Sequence, residues 1–222
     1  MKFKLTNETK VRLGIFLYRI EATADFGVVK KGEKGGWIGK ESNLSRDGNA
    51  WVYDNAEVYG DALVSGNAQV YDNAQVYDNA HVSGNAQVFG NAEVFDEALV
   101  TDNAHVSGDA LVTDNAHVSG NALVSGNAEV YGDARVHENA QVFGNAEVFD
   151  EALVLGNAWV YGEAQVCGNA EVFDEALVLG NAWVYGEAQV CGDALVTDNA
   201  QVSGNALVTH NALVLGNTCV SS

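Results

Sequence analysis

A valine stands at every sixth position from Val52 to Val220 without exception, giving 29 consecutive hexads of the form Ala-x-Val-x-Gly/Asp-Asn. A period of six fits neither a helix of about 3.6 residues per turn nor strands of varying length, whereas it is typical of a solenoid with short, equal sides. Within each hexad, the Ala and Val side chains lie on one face of an extended strand and the residue between them points outward. The following Gly/Asp-Asn pair tolerates positive φ, as a sharp corner requires.

Three such sides close into a coil of about 18 residues, and successive coils pair their strands in parallel at a spacing of about 4.8 Å. The sequence therefore predicts an all-β, three-sided parallel β-helix of nearly ten coils, about 45 Å long. Outward residues that recur every third hexad support this coil length and predict two aromatic ladders, which fade further along the chain. The ladder residues are Tyr53, Tyr71 and Phe89 on one side, and Tyr59, Tyr77 and Phe95 on another.

Charge divides the chain into two predicted domains. Residues 1–47 are aperiodic and carry ten of the eleven basic residues, whereas residues 48–222 carry 24 acidic residues against the single Arg135. We expect residues 1–47 to form a small β cap, a hairpin followed by a glycine-rich turn, because an uncovered parallel edge promotes association. Residues 48–222 form the predicted β-helix.

The spacing Val64-Ser-Gly-Asn-Ala68-Gln resembles the hexapeptide repeat of left-handed parallel β-helix proteins. The resemblance covers about 175 residues and implies the left hand, which the spacing alone does not determine. The stretch before the repeats is similar to the leader of uncharacterised bacterial and phage proteins of the YdcK-like group. The chain departs from the acyltransferase branch, because no loop interrupts its hexads and the residue after each valine is mostly aromatic, Ser or Thr.

The acidic rod is expected to repel nucleic-acid phosphates and anionic membranes, since their binding needs clustered Lys and Arg. The negative electrostatic field of the rod favours a basic protein as the partner.

The chain begins without the apolar core of a signal peptide and has no stretch of about 20 apolar residues, so we expect a cytoplasmic protein. Cys167, Cys191 and Cys219 lack metal-site spacing and are predicted to be free thiols.

No residue pattern predicts catalysis, a cofactor or a metal site. His81 and His117 share a predicted side but lie two coils apart, about 10 Å, which is too far for one metal ion. The remaining histidines, His105, His137 and His210, are interpreted as surface variants of the repeat. Acidic corner pairs such as Asp96-Glu97 lack the ordered oxygens of a calcium site. We therefore expect a protein that is not an enzyme.

A perfect duplication supplies the candidate interaction residues. The four hexads of residues 144–167 recur unchanged at 168–191. Since four hexads are one and a third coils, each outward residue of the second copy is predicted to lie on a different side from its counterpart, which favours a spacer role. The exposed aromatics of the two copies are nevertheless candidate anchors for a partner. They are Trp159, Tyr161, Trp183 and Tyr185.

The C-terminal hexads carry no sequence pattern of a cap, so Val214 and Val220 are candidate contacts for end-to-end association of identical chains. The leading hypothesis is a rigid, non-catalytic scaffold or interaction protein that forms a homo-oligomer through one end of the rod, of phage or prophage origin. One alternative is an inhibitor that imitates nucleic acid with its acidic surface. The other is a degenerate hexapeptide-repeat acyltransferase.

Overall fold

Each hexad forms one short strand in the computed structural model, which describes residues 2–222. Every strand of the repeat up to Gln201–Ser203 pairs in parallel with the strand three hexads later, so that Val58 lies beside Val76, and Val76 beside Val94. The predicted three-sided parallel β-helix with three hexads per coil is therefore confirmed. Its left-handedness stays a prediction from the resemblance.

The repeat builds three sheets, which we name faces 1, 2 and 3 in the order in which the chain visits them. Face 1 has ten strands, face 3 has nine, and face 2 has thirteen because three N-terminal strands extend it. The N-terminal elements are β1 (Phe3–Arg12), β2 (Ile15–Ala22), β3 (Lys34–Ile38) and a 3-10 helix (Glu41–Asn43).

The repeat strands follow in chain order, with every third strand on the same face. They are β4 (Trp51–Val52), β5 (Glu57–Val58), β6 (Leu63–Val64), β7 (Gln69–Val70), β8 (Gln75–Val76), β9 (His81–Val82), β10 (Gln87–Val88), β11 (Glu93–Val94), β12 (Leu99–Val100), β13 (His105–Val106), β14 (Leu111–Val112), β15 (His117–Val118), β16 (Leu123–Gly126), β17 (Glu129–Val130), β18 (Arg135–Val136), β19 (Gln141–Gly144), β20 (Glu147–Val148), β21 (Leu153–Val154), β22 (Trp159–Gly162), β23 (Gln165–Val166), β24 (Glu171–Val172), β25 (Leu177–Val178), β26 (Trp183–Val184), β27 (Gln189–Val190), β28 (Leu195–Val196), β29 (Gln201–Ser203), β30 (Leu207–Val208), β31 (Leu213–Val214) and β32 (Cys219–Ser221). Face 1 contains every third strand from β4 to β31, face 2 contains every third strand from β5 to β32, and face 3 contains every third strand from β6 to β30.

The interior consists of stacked valine and alanine columns. From Val52 to Val202 every hexad valine is fully buried, as is almost every hexad alanine from Ala50 to Ala200. The corners between faces take positive φ at Gly, at an acidic residue such as Asp72, whose φ is 61°, or at His210, whose φ is 58°. Asp tolerates this conformation better than most side chains do, which explains why both Gly and Asp occur at the corners.

A corner carboxylate binds the glycine one coil above it. Asp102 accepts a hydrogen bond from the backbone N–H of Gly120 at 3.2 Å, and Asp114 does the same for Gly132 at 3.0 Å. The pattern holds wherever an acidic corner residue with positive φ is followed three hexads later by glycine. The other such pairs are Asp72–Gly90, Glu138–Gly156, Asp150–Gly168, Asp174–Gly192 and Asp198–Gly216. These bonds add a link between consecutive coils at the corners, outside the strands.

Asparagine side chains form a second set of links between coils. At the corner that leads from face 3 to face 1, seven asparagines from Asn49 to Asn157 donate and accept side-chain amide hydrogen bonds in one continuous row. Identical amides stacked at the strand spacing satisfy one another. The row ends where Glu175 takes the next position.

The predicted aromatic ladders are present. The rings of Tyr59 and Tyr77 stack with centroids 5.1 Å apart, and those of Tyr71 and Phe89 with centroids 5.0 Å apart. Tyr53 meets Tyr71 edge-on at 6.4 Å. Stacking was expected to fade, but it resumes further along the rod. The later stacked pairs are Tyr131–Phe149 on face 2 and Phe143–Tyr161 on face 1.

The N-terminal region contains a hairpin, β1 and β2, joined at Leu13-Gly14, where both residues have positive φ. Strand β3 pairs antiparallel with β2 and in parallel with β5, so it joins the hairpin to face 2. Leu44 forms a parallel bridge with Val64 on face 3. Residues before position 48 thus supply two sides of the first coil, while the division of the chain into domains at residue 47 stays a prediction.

Side chains from the N-terminal region satisfy the carbonyl groups at the bottom of the rod. The Lys2 ammonium donates to the carbonyl oxygens of Ala50 at 2.9 Å and Gly48 at 3.3 Å. The buried Asn43 amide donates to the carbonyl oxygens of Gly60 and Ala62. Unpaired backbone groups are costly when buried, so these contacts stabilise the first coil.

Aromatic rings close the bottom of face 1. Trp51 is fully buried, and the rings of Phe3 and Phe26 meet it edge-on at 6.4 Å and 5.4 Å. Within residues 2–222, no helix has the length and apolar character needed to cross a lipid bilayer.

Candidate interaction surface

The six residues predicted as interaction sites lie in three separate places. Trp159 and Tyr161 are on face 1, whereas Trp183 is on face 2 with Tyr185 directly after its strand. The duplication accounts for this separation, because a shift of four hexads moves each residue to the next face. Val214 is 5% exposed and lies in the interior column of the last coil. Val220 occupies the same coil on face 2 and is half-buried.

Trp183 has polar neighbours above and below it in its own column of face 2. It pairs with Gln165 below and Gln201 above, and its indole N–H donates to the Cys167 sulfur at 3.2 Å. Its ring lies against Tyr185, with centroids 4.4 Å apart. Trp183 therefore adjoins the column of Phe149, Cys167 and Tyr185 on face 2, and this column runs beside the outward carboxylates Glu129 and Glu147.

Trp159, by contrast, belongs to a continuous apolar surface on face 1. It pairs with Leu177, which pairs with Leu195, which in turn pairs with Leu213. A second column runs beside it at the outward position after each valine, where Thr197 is the one polar member. We call the eight apolar residues of the two columns the face 1 stripe: Phe143, Trp159, Tyr161, Leu177, Leu179, Leu195, Leu213 and Leu215.

The stripe is exposed to solvent although its aromatic rings contact one another. Trp159 is 40% exposed, Leu213 64% and Leu215 44%, and the other members are half-buried. Phe143 stacks on Tyr161 at 4.9 Å and meets the Trp159 ring edge-on at 6.0 Å. Contiguous exposed apolar surface of this kind marks interaction sites in soluble proteins.

Sequence reasoning missed the stripe because it considered the two tryptophans as a pair created by copying. The signal was present: the residue before the valine in every third hexad from Trp159 onward gives an uninterrupted apolar series. The duplication itself contributed, because the shift of four hexads places Leu177, the copy of Leu153, directly above Trp159. The duplicated segment is therefore part of the apolar surface and not only added length.

Charge separates this face from the other two. Among the described residues, the outward positions of face 1 from Trp51 to Leu215 hold no Asp, Glu, Lys or Arg, whereas face 2 carries Glu57, Glu93 and others, and face 3 carries Arg135. Five of the 24 acidic residues of 48–222 lie on the faces, and all the others lie at corners. The acidity of the rod is thus concentrated along its edges.

Carboxylates line both edges of the face 1 stripe. The corner that leads into the face carries Glu138, Asp174, Glu175 and Asp193, and the corner that leads out of it carries Glu163 and Asp198. We call these two rows the rims. All six residues are exposed. No Lys or Arg follows Arg135 in the sequence, and the one basic side chain at these corners is His210, beside the last rung.

His81, His117 and His137 lie on face 3, His105 lies on an earlier coil of face 1, and His210 stands at the corner beside the last rung of the stripe. On face 3, His81 and His117 both flank Leu99, as predicted, and the His117 ring lies 3.4 Å from the Thr101 hydroxyl. Burial lowers the pKa of His117, and the nearby Arg135 lowers it further. Within residues 2–222 no three His, Cys, Asp or Glu side chains come together as metal ligands would.

The cysteines are free thiols, as predicted, with Cys167 and Cys191 buried and Cys219 exposed. Burial raises the pKa of the Cys167 thiol, although the hydrogen bond from Trp183 opposes this effect. A raised pKa disfavours the thiolate, which is the reactive form.

Comparison with known proteins identifies the repeat. The family described as YdcK Beta solenoid repeat matches residues 56–72, 68–84, 74–90, 188–200 and 200–216. At these positions the repeats of the chain are similar to those of the YdcK β-solenoid type. Over 73 residues it is 36% identical to the Escherichia coli (strain K12) protein called Uncharacterized acetyltransferase YdcK. That segment covers 29% of this chain and 22% of the relative, so most of the relative has no counterpart in the match.

These matches confirm the predicted resemblance to the YdcK-like group. The matches to the family model lie towards the two ends of the repeat region, and that model leaves the duplicated segment of 144–191 almost entirely unmatched. The hexapeptide-repeat label and the phage origin stay predictions.

Proposed function

We propose that this protein is a rigid, non-catalytic interaction protein whose docking surface is the face 1 stripe. One observation carries the proposal: eight apolar residues form a contiguous surface on the single face that lacks charged outward residues. A stacked β-helix presents such residues on a fixed backbone, so little conformational entropy is lost when a partner binds. Scattered exposed leucines would need no such explanation, but a contiguous stripe does.

The duplication supplies variants that test the proposal with matched controls. Trp159→Ala and Leu177→Asn change the stripe, whereas Trp183→Ala and Leu153→Asn change the same residues of the other copy on faces 2 and 3. The immobilised protein and its four variants are used to capture proteins from the native host, followed by mass spectrometry. Proteins that bind the stripe are retained by the wild type and both control variants, and are lost with Trp159→Ala and Leu177→Asn.

Capture of the same proteins by all five forms contradicts docking on face 1. Circular dichroism of each variant excludes unfolding as the cause of any loss. Because the four substitutions are at outward positions, we expect all variants to keep the β-helix.

Self-association through the last coil is a further part of this proposal. Strands β30, β31 and β32 each pair with a neighbour on one side only, and Leu207 on β30 is 59% exposed. Such edges readily pair with another chain. Light scattering at tens of micromolar is expected to show a dimer that Leu207→Lys dissociates and Leu153→Lys, on the same face at mid-rod, does not. A monomeric wild type contradicts the association.

The relative's name favours a second candidate, an acetyltransferase. A thermal-shift measurement with coenzyme A is the test, since a ligand that binds only the folded state raises the unfolding temperature. A saturable rise supports this candidate, and an unchanged unfolding temperature at millimolar coenzyme A argues against it.

A third candidate is an inhibitor that imitates nucleic acid. It is favoured by a shallow acidic groove between faces 2 and 3, lined by Glu171 and Glu187 among others. Capture of a basic, DNA-handling protein that salt releases, and that Trp159→Ala does not affect, supports it. Cytoplasmic location and phage origin remain predictions in all three cases.

A further inference from the structure

The carboxylate rims indicate what kind of partner fits the face 1 stripe. A surface that covers the stripe also approaches both rims, and it removes water from their carboxylates. Among the described residues, the side-chain carboxylates of Glu163, Glu175 and Asp193 have no hydrogen-bond or ion-pair partner, although the backbone N–H groups of Glu163 and Glu175 donate to the next coil. Glu138, Asp174 and Asp198 each use one oxygen on a backbone N–H of the next coil. Oxygens on both rims are therefore available to a partner.

A second copy of this face is a poor partner. Face-to-face association of two stripes would set acidic rims against acidic rims, and like charges across an interface oppose association. The complementary surface is apolar in the middle and carries Lys or Arg on both sides.

The backbone of the rod restricts the partner's secondary structure. Every face 1 strand from β7 to β28 already pairs with a neighbour on each side, so an added strand could pair only with the open edge of β31 at the last rung and could not cover the other rungs of the stripe. A helix can instead lie on the sheet surface, as in layered folds. The stripe covers five rungs, about 19 Å at the strand spacing. That length corresponds to a helix of about 13 residues.

We propose that the face 1 stripe binds a cationic amphipathic helix, with its apolar side on Trp159, Leu177 and Leu195 and its basic residues over the two rims. This inference rests on the proposed interaction function and specifies its partner. It requires both parts of the surface, the apolar stripe for affinity and the rims for selection of basic sequences.

The probe is an amphipathic peptide of leucine and lysine, about 18 residues long, with leucines at helical i, i+3, i+4 and i+7 spacing. Its comparison peptides are one with Gln in place of every Lys and one with the same composition in scrambled order. Fluorescence anisotropy at low and high salt gives the Kd. We expect the amphipathic cationic peptide to bind most tightly, and its affinity to fall with salt.

The duplication again provides controls that change the same number of charges. Glu163→Gln with Glu175→Gln removes one carboxylate from each rim. Glu187→Gln with Glu151→Gln removes the corresponding residues of the other copy, which lie at the corner between faces 2 and 3. The net charge changes equally, so a general attraction to an acidic rod weakens equally in both. We expect the rim variant to bind about fivefold more weakly and the control variant to bind as the wild type does.

Trp159→Ala is expected to weaken binding of the cationic peptide about tenfold or more, whereas Trp183→Ala leaves the Kd of this peptide unchanged. If the Gln peptide binds as tightly and depends equally on Trp159, the cationic partner is wrong and the interaction surface stands. If neither peptide's affinity depends on Trp159, the cationic helix is wrong and the proposed docking surface loses its support. Equal losses in the rim and control variants also overturn the inference, since they show attraction to the whole rod.

Discussion

The interior valine column allows a quantitative prediction for Val130→Ala. Val130 is fully buried and lies between Val112 below and Val148 above. Removing two methyl groups costs about 1.6 kcal/mol of transfer free energy, at about 0.8 kcal/mol each. An unfilled space of about 50 Å³ adds about 1.2 kcal/mol, because neighbouring coils held by ladder hydrogen bonds relax little. The free energy of unfolding should fall by about 3 kcal/mol.

Val220→Ala on the same face is the matched control. Val220 pairs with Val202 on one side only and is half-buried, so the same change removes fewer contacts and leaves a space that water can enter. We expect a loss below about 1 kcal/mol. Urea unfolding followed by circular dichroism measures both values. Equal losses in the two variants would refute the argument that each valine is packed by the coils above and below it.

Three further changes test local features of the rod. Asp102→Ala should lower the free energy of unfolding by about 1 kcal/mol more than Asp78→Ala in urea denaturation, because both sites share positive φ and only Asp102 binds a glycine N–H of the next coil. Gly36→Ala should destabilise by about 2 kcal/mol, since a Cβ there would lie 2.6 Å from a Val52 methyl carbon; unchanged stability contradicts this packing. Burial lowers the pKa of Lys2 to about 8, so the folded state loses that proton before the unfolded state does. Stability should therefore rise between about pH 8 and pH 9.5 relative to Lys2→Met, and identical pH profiles would disprove this role.

The fold was predictable because nearly every hexad places the same residue types at the same positions. The buried valine and the small alanine mark the inner face of each short strand, and the corner residue that tolerates positive φ marks the turn to the next strand. Because this pattern recurs 29 times, six is the only repeat length that fits the sequence. The first coil was harder to predict. Ile38 and Leu44 are one hexad apart and continue the interior columns, but the step from Leu44 to Val52 is longer than a hexad. Because the repeat is recognised by a constant spacing of six residues, this longer step conceals that Ile38 and Leu44 belong to the same interior columns as the valines.

The candidate surface was less predictable for a different reason. Outward positions follow no repeat of six, and their neighbours in space are three hexads away in sequence. Trp159 and Tyr161 were recognised singly, but the leucines above them resemble ordinary hexad variation until they are placed on faces. The corner bonds from carboxylate to glycine N–H were missed likewise. A sequence search for an acidic corner residue followed one coil later by Gly would have found all seven.

Insertions of different length test coil geometry and surface together. Tandem repetition of residues 168–173 adds one hexad, which rotates all later residues by one face and moves Leu177, Leu195 and Leu213 off face 1. Tandem repetition of residues 168–185 adds one full coil and keeps those leucines above Trp159, with an additional leucine rung between. Both variants should fold, because each preserves the valine column and the corners. The cationic peptide should bind the full-coil insertion at least as tightly as the wild type, and the one-hexad insertion at least about tenfold more weakly. Equal affinities for the two would mean that the peptide does not recognise residues aligned on one face, and the stripe would then have no role in binding.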